Sequence, residues 1–389
     1  LSPAIAIAAA LSMDSPFLRN TTEVEDENNT NAKGPPPHVR FHHPHSDALC
    51  AAQAVLAYDQ CKGVKAKEEF CAKNRLHEKT MREMSDLRRQ LQRMIVSLAN
   101  AQKIPGLPQG AIEALDDDFA ATTALPPGGE VEIALRQALC AGWADRIARR
   151  AKQKEMEQHM RNSEDKGEGK QSKATRYVPA LLDVPVFLHP TSSLHRTSPD
   201  YVVYTDLLQT EKRPYVVGAT AIEPEWLIDH ASALVDRGAM LRDPAPRYAS
   251  SKDKVVGWLA PAFGPHRWEL PLHPIDVESV DIKCAVFASA LLSGTVSAPM
   301  QDLREKLAAK PLLASRPEGK TQMRVVDLLG ALKRYDGGIC TRAQLRAMWA
   351  KHPRYLFNEL KAWMKTGKAY ALESVWTSVV RGASEPELS

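Results

Sequence analysis

A change of texture near residue 175 constrains this chain more than any other feature. Before it, apolar residues recur at helical spacing over long stretches; after it, short β-branched or aromatic runs are cut by Pro, Ser and Lys/Arg turns. Helices are expected over 1–18, with Ser2 as cap and Pro3 in the first turn, and from the cap Ser46 to Cys61. A longer helical segment is expected over 65–101, where Phe70, Met84, Leu87, Leu91, Met94 and Leu98 share a core face and Arg75, Arg82, Arg89 and Arg93 form a basic stripe. A third spans 130–161 with Gly142 inside it, at a cost of about 1 kcal/mol relative to Ala that usually marks a close backbone approach. Residues 19–45 and 162–174 read as loops. The runs 177–182, 186–189, 201–208 and 215–222 then suit a small antiparallel barrel such as an OB-fold. Further strand-like pieces, 255–259 and 268–270, lead into helices near 281–293, 322–335, 341–350 and 353–366. The expected fold class is multidomain α+β, because 389 residues exceed one compact core. Its parts are a helical bundle over 1–128 with an insertion near 19–40, a lead helix plus barrel over 129–244, and a mixed α/β C-terminal domain over 245–389.

Charge is informative locally rather than globally. The net charge of +4 identifies no partner, but residues 62–104 hold eleven Lys/Arg against five Asp/Glu, and 333–368 hold nine against two. Such clusters read either as polyanion-binding surfaces or as solvated helix faces. The six cysteines never form Cys-x-x-Cys and read as small core residues in a reducing compartment. No apolar run is long enough to span a bilayer, and Leu1–Met13 lacks the basic lead and cleavage site of a signal peptide. The abrupt apolar start is expected of a piece of something longer.

The chemistry of an ATPase is missing from this segment. No Gly-x-x-x-x-Gly-Lys-Ser/Thr occurs, and the nearest string, Gly167 to Gln171, lacks the first glycine and the hydroxyl that would hold Mg²⁺. No Asp-Glu-x-His and no nucleophile with a base beside it are found, so no catalytic residue is assigned. His38, His42, His43 and His45 with Asp47 read as a turn, and no metal site is assigned.

Three stretches, in order, resemble the region downstream of the motor in DEAH-box RNA helicases. Phe41–Tyr58 with Asn74–Leu91, including Ser46-Asp47 and Arg88-Arg89-Gln90-Leu91, resembles the ratchet domain, and Leu135–Trp143 resembles the helix leading into that family's OB-fold. Val186–Leu194 (Val-Phe-Leu-His-Pro-Thr-Ser-Ser-Leu), Pro199–Tyr204, Thr210-Glu211-Lys212, Tyr215 and Ala221–Leu227 resemble the OB-fold itself. Glu211, Pro214 and Asp206 depart from the usual pattern. Ala262–Pro271 and His352–Trp363 are similar to the extra C-terminal domain of one branch, the nucleolar helicase of the small-subunit processome.

The resemblance implies a 3'-to-5' helicase that binds ATP and Mg²⁺ in motor domains outside this segment, which alone should be inactive. It implies release of a small nucleolar RNA from pre-18S rRNA in the nucleolus, a site within the nucleus. The implied partners are single-stranded RNA, pre-rRNA, an activating processome protein and the helicase's own motor domains, with no membrane. Single-stranded RNA needs cations for phosphates and flat or hydroxyl-bearing groups for bases and riboses. Arg88, Arg89, Arg136, Lys212, Arg213 and Tyr215 are the expected RNA contacts, while Arg267, Trp268, Arg346 and Arg354 are expected to dock a pre-ribosomal partner. Trp349 and Trp363 are expected in a core. The competing reading is a protein-binding scaffold that touches no RNA.

Overall fold

The computed structural model describes residues 1–18, 39–101, 110, 127–152, 175–211 and 213–382. The expected loop over 162–174, most of the 19–45 loop and Lys212 lie outside the described residues. The chain forms two compact units, 1–236 with 263–268, and 237–262 with 269–389.

The first unit opens with four helices, α1 (Ser2–Leu11), α2 (Asp47–Asp59), α3 (Val64–Asn74) and α4 (Glu78–Asn100). The first is shorter than expected, and Leu1 rather than Ser2 takes the cap position. Ser46 does cap α2, its hydroxyl accepting from the Leu49 N–H. The single segment expected over 65–101 is broken at Arg75, which turns left-handed at φ 55° and closes α3; His77 then caps α4. Arg75 therefore leaves the basic stripe, and Arg82, Arg89 and Arg93 remain. Phe41, Val55, Tyr58, Leu76, Met81 and Met84 form the helical core. Met94 and Leu98, expected to face it, are exposed, because that core takes in no α4 residue beyond Met84.

The helix expected over 130–161 stops at Gly142: α5 covers Glu130–Gly142 and the chain re-emerges as strand β1 (Ile147–Arg150). Gly142 is terminal, and a Cβ there would meet nothing, so no close approach explains it. Ile-Ala-Arg-Arg has no strong strand preference of its own. It becomes a strand because β2 (Arg176–Pro179) and β4 (Tyr201–Val203) pair with it on both sides, a tertiary override of propensity. The runs expected at 201–208 and 215–222 each split in two, giving β4 and β5 (Asp206–Gln209), then β6 (Pro214–Val217) and β7 (Thr220–Ala221). With β3 (Val186–Leu188) they make a seven-stranded sheet, order β5-β6-β3-β2-β1-β4-β7, antiparallel except where β3 runs parallel to β6. Ala148, Tyr177, Leu188, Val202 and Val216 fill its interior.

The second unit holds an antiparallel three-stranded sheet, in which the strand Lys254–Leu259 lies between Arg247–Ala249 and His273–Asp276. Among the described residues the α-helices that follow are α6 (Val280–Ser293), α7 (Met323–Leu332), α8 (Arg342–Lys351), α9 (Phe357–Lys361) and α10 (Ala369–Gly382). Gly294 caps α6 at φ 88°, where a Cβ would strike the Gln301 backbone at 2.6 Å. The helix expected over 353–366 is reduced to α9, because Leu356 takes a left-handed turn at φ 66°. Phe287, Leu328, Trp349 and Trp363 are all in the core, as expected for the two tryptophans. Among the described residues no single helix is long and apolar enough to cross a membrane.

Candidate nucleic-acid interface

The barrel gathers a cationic-aromatic cluster on one edge. The parallel register of β3 and β6 sets Phe187 opposite Tyr215, with ring centroids 6.5 Å apart. His189, one residue past β3, lies edge-on to Tyr215 at 5.2 Å. The β5–β6 hairpin returns through Thr210, whose hydroxyl donates to the Arg213 carbonyl at 2.7 Å and accepts from the Arg213 N–H at 3.2 Å. That lock aims the Arg213 guanidinium back over both rings, 4.9 Å from Phe187 and 5.8 Å from Tyr215. A half-buried guanidinium plane backed by aromatic faces is suited to stacking a base or meeting a phosphate. Tyr215 itself is buried beneath it and acts as the support. The His189-Pro190-Thr191-Ser192 string is a capped turn, the His189 Nδ1 lying 2.7 Å from the Thr191 hydroxyl.

Besides the buried Tyr215, two further expected RNA contacts are internal. Arg88 is 2% exposed and donates from Nε to Asp59, equally buried, at 2.7 Å. Ser85 also hydrogen-bonds Asp59, and Arg88 reaches Ser2 at 3.3 Å, so this cation ties α4 to α2 and α1 and is not available to a phosphate. Its neighbour Arg89 stays at the surface, 35% exposed, in long ion pairs to Asp59 and Asp86. Arg136 donates to the Ala221 carbonyl at 2.8 Å, to Glu132 at 3.2 Å and to Glu223 at 3.4 Å, with its guanidinium 4.9 Å from the Trp226 ring. It fastens α5 to the barrel rather than contacting RNA.

The junction between helices and barrel is built around residues 45–47. Asp47 lies half-buried, its carboxylate accepting from the Ser192 hydroxyl, the Ser193 N–H and hydroxyl, and the Ala219 N–H. Burial raises its pKa against those hydrogen bonds. Ser46 pairs with Thr220 through their hydroxyls at 2.7 Å, and the Ala221 N–H donates to the His45 carbonyl. Donor atoms of His43, His45 and Glu132 lie within 4.8 Å of one another. The Arg136 guanidinium, 3.2 Å from the same Glu132 oxygen, fills the place a cation would need. Burial alone would raise the Glu132 pKa, but the His45 hydrogen bond and the Arg136 charge outweigh it and hold this carboxyl below its ordinary value.

Comparison with known proteins places this architecture. Residues 135–234 match the family model of the oligonucleotide/oligosaccharide-binding (OB)-fold, and residues 299–380 match the DEAH helicase DHX37 C-terminal domain. The chain is 34% identical over 351 residues to the Arabidopsis thaliana ATP-dependent RNA helicase DEAH13, covering 88% of this chain and 26% of that protein. The chain belongs to the DEAH-box RNA helicases, as their C-terminal region. It is also 29% identical over 322 residues to the probable ATP-dependent RNA helicase DHX37 of Homo sapiens, covering 82% of this chain and 25% of that one. The pre-mRNA-splicing factor ATP-dependent RNA helicase prp22 of Schizosaccharomyces pombe is 24% identical over 193 residues, half of this chain and 12% of that protein. The chain thus spans about a quarter of the length of the two longer-matched relatives.

In this DEAH-box region the expected docking residues divide. Trp268 is buried in the first unit, stacked on Phe263 and His266, edge-on to Tyr201 and covered by the Arg149 guanidinium at 5.0 Å. It cannot dock a partner. Arg267, at the tip of the same turn with φ 49°, is 69% exposed but ion-paired to Asp236 at 3.0 Å. Arg346 is exposed on α8, and Arg354 is exposed with its guanidinium 4.7 Å from the Phe357 ring. Sequence reasoning missed the Asp47 clamp, the Phe187 partner of Arg213 and the His189 partner of Tyr215. The register of β3 on β6 could not be read from local pattern, while Ser46-Asp47 stood out only by resemblance.

Proposed function

We propose that this chain is the RNA-channel and docking half of an ATP-dependent 3'-to-5' RNA helicase of small ribosomal subunit biogenesis. In this reading the helicase releases a small nucleolar RNA from pre-18S rRNA in the nucleolus, with ATP and Mg²⁺ bound by motor domains that this sequence does not contain. An activating processome protein is the further partner. The observation that carries it is the match of residues 299–380 to the DHX37 C-terminal domain, downstream of an OB-fold match in the same chain. Arg213 over Phe187 and Tyr215, together with Arg89, Arg82 and Arg93, supplies the cationic and flat surfaces that single-stranded RNA requires. The chain alone is expected to show no ATP turnover, since it carries no phosphate-cradling loop.

One observation favours the scaffold reading: Arg88 and Arg136, two of the expected contacts, are buried in ion pairs. Binding of single-stranded RNA by the purified chain across a salt series separates the two. The helicase reading expects sequence-tolerant binding that weakens steeply with salt, because releasing condensed counterions gains less entropy as the salt concentration rises. Absence of RNA binding at low salt would sink it in favour of the scaffold.

A further inference from the structure

The core of the second unit contains a thiol pair that RNA binding and docking do not use. Cys284 on α6 and Cys340, just before α8, are both free and buried, with their sulfurs 3.4 Å apart in a hydrogen bond. Their meeting is built by the chain. Gly337 and Gly338 take φ 77° and 69°, a turn that side chains disfavour, and a Cβ on Gly338 would sit 2.8 Å from the Cys284 sulfur. The turn packs directly on that thiol and delivers Cys340 to it. Cys340 is held in turn by the cap of α8, where the Gln344 side-chain oxygen accepts from the N–H groups of Cys340 and Thr341. Both sulfurs therefore sit on fixed elements, separated by 56 positions in sequence.

We propose that Cys284 and Cys340 form a modification site, a dithiol that a peroxide converts to one intramolecular disulfide linking α6 to the start of α8. The two sulfurs differ in character. Donation of the Cys284 S–H to Cys340, with the Lys283 charge nearby, holds the Cys340 thiol below its ordinary range against burial, while Cys284 is pushed up. Cys340, the less deeply buried of the two, is the attacking sulfur. Its thiolate attacks one oxygen of the peroxide, the O–O bond breaks, and the departing oxygen leaves as water after taking a proton, giving a sulfenic acid. The Cys284 sulfur then attacks the sulfenyl sulfur; the S–S bond forms, the S–O bond breaks, and the Cys284 proton leaves with the hydroxide as water. Overall two thiols and one peroxide give one disulfide and two waters. The closure needs only a short approach of the sulfurs, and a thiol reductant reverses it.

The test uses the whole chain treated with a small excess of hydrogen peroxide under native conditions, then alkylated in denaturant and mapped by mass spectrometry. The expected result is a linked peptide pair containing Cys284 and Cys340, lighter by two hydrogens and released by reductant. It should be accompanied by a rise of about 5 °C in the melting temperature of the second unit. Cys284→Ala and Cys340→Ala should each abolish the link. Unfolding curves of the two variants separate loss of the partner from loss of the fold, since a folded variant that forms no link has lost only its partner sulfur. Full alkylation of both cysteines after oxidation would overturn the proposal, as would links of either one to Cys50, Cys61, Cys71 or Cys140.

Discussion

In the helical part of the first unit, Arg88 turns inward onto Asp59 with both groups sealed from water, whereas in the barrel Arg213 lies across Phe187 and Tyr215 at the edge of the sheet. Both belong to basic, helicase-like strings in the sequence. What separates them is the neighbouring element. Helix α2 ends in Asp59, which pairs with Arg88 in the core, while Arg213 is half-buried over the Phe187 and Tyr215 rings. A cation's place in the sequence motif therefore does not decide its role; the depth at which it packs does. Arg136 is buried in ion pairs as Arg88 is, and Arg89 stays at the surface although Asp59 and Asp86 lie within ion-pair distance.

That contrast breaks most readily at Arg88. Arg88→Ala should cost about 4 kcal/mol of stability by stranding the buried Asp59 charge, read as a lower urea midpoint, while the folded fraction binds RNA as before. A loss of RNA affinity without loss of stability would reverse the assignment. Trp268→Ala should cost about 3 kcal/mol, because it empties a site enclosed by Tyr201, Phe263 and Arg149. A docking role would instead leave the unfolding curve unmoved. Because 263–268 belong to the first unit, a deletion beginning at 245 would remove Trp268 too, and point variants such as Arg346→Glu and Arg354→Glu test docking more cleanly. Asp47→Ala should cost about 2 kcal/mol, leaving the Ser193 and Ala219 N–H groups without their acceptor. The smallest effect is a pH dependence. The Glu132 carboxyl is depressed in the folded protein, so its contribution is present above the unfolded value near 4.5 and is lost as pH falls through the lower folded value. Glu132→Gln should flatten that acid limb of the stability profile.

Much of this fold was legible, and the failures have physical causes. Helical spacing and the Ser46 cap located α2 and most of α4, and the β-branched runs located most of the barrel strands. Strand β1 was invisible because Ile-Ala-Arg-Arg owes its extended form to partners drawn from 176–179 and 201–203. The break at Arg75 was hidden because a left-handed arginine carries no local signal of the kind glycine gives. At the candidate interface, residue type identified the cations but not their depth. The spacing of Arg88 and Arg89 cannot say which of them meets Asp59 in the core, and α2 and α4 had to pack before that was decided.

In the proposed function, RNA is met by the surface cations and not by the buried ones. The most direct measurement is the salt dependence of single-stranded RNA binding by the chain carrying Arg89→Glu with Arg213→Glu, beside the unaltered chain. With two phosphate contacts removed, affinity should fall about tenfold or more at moderate salt, and the slope of log affinity against log salt should shrink by about 1.4, for RNAs of any sequence. Equal affinity and an equal slope in the two chains, with the variant folded as judged by its unfolding curve, would contradict the account.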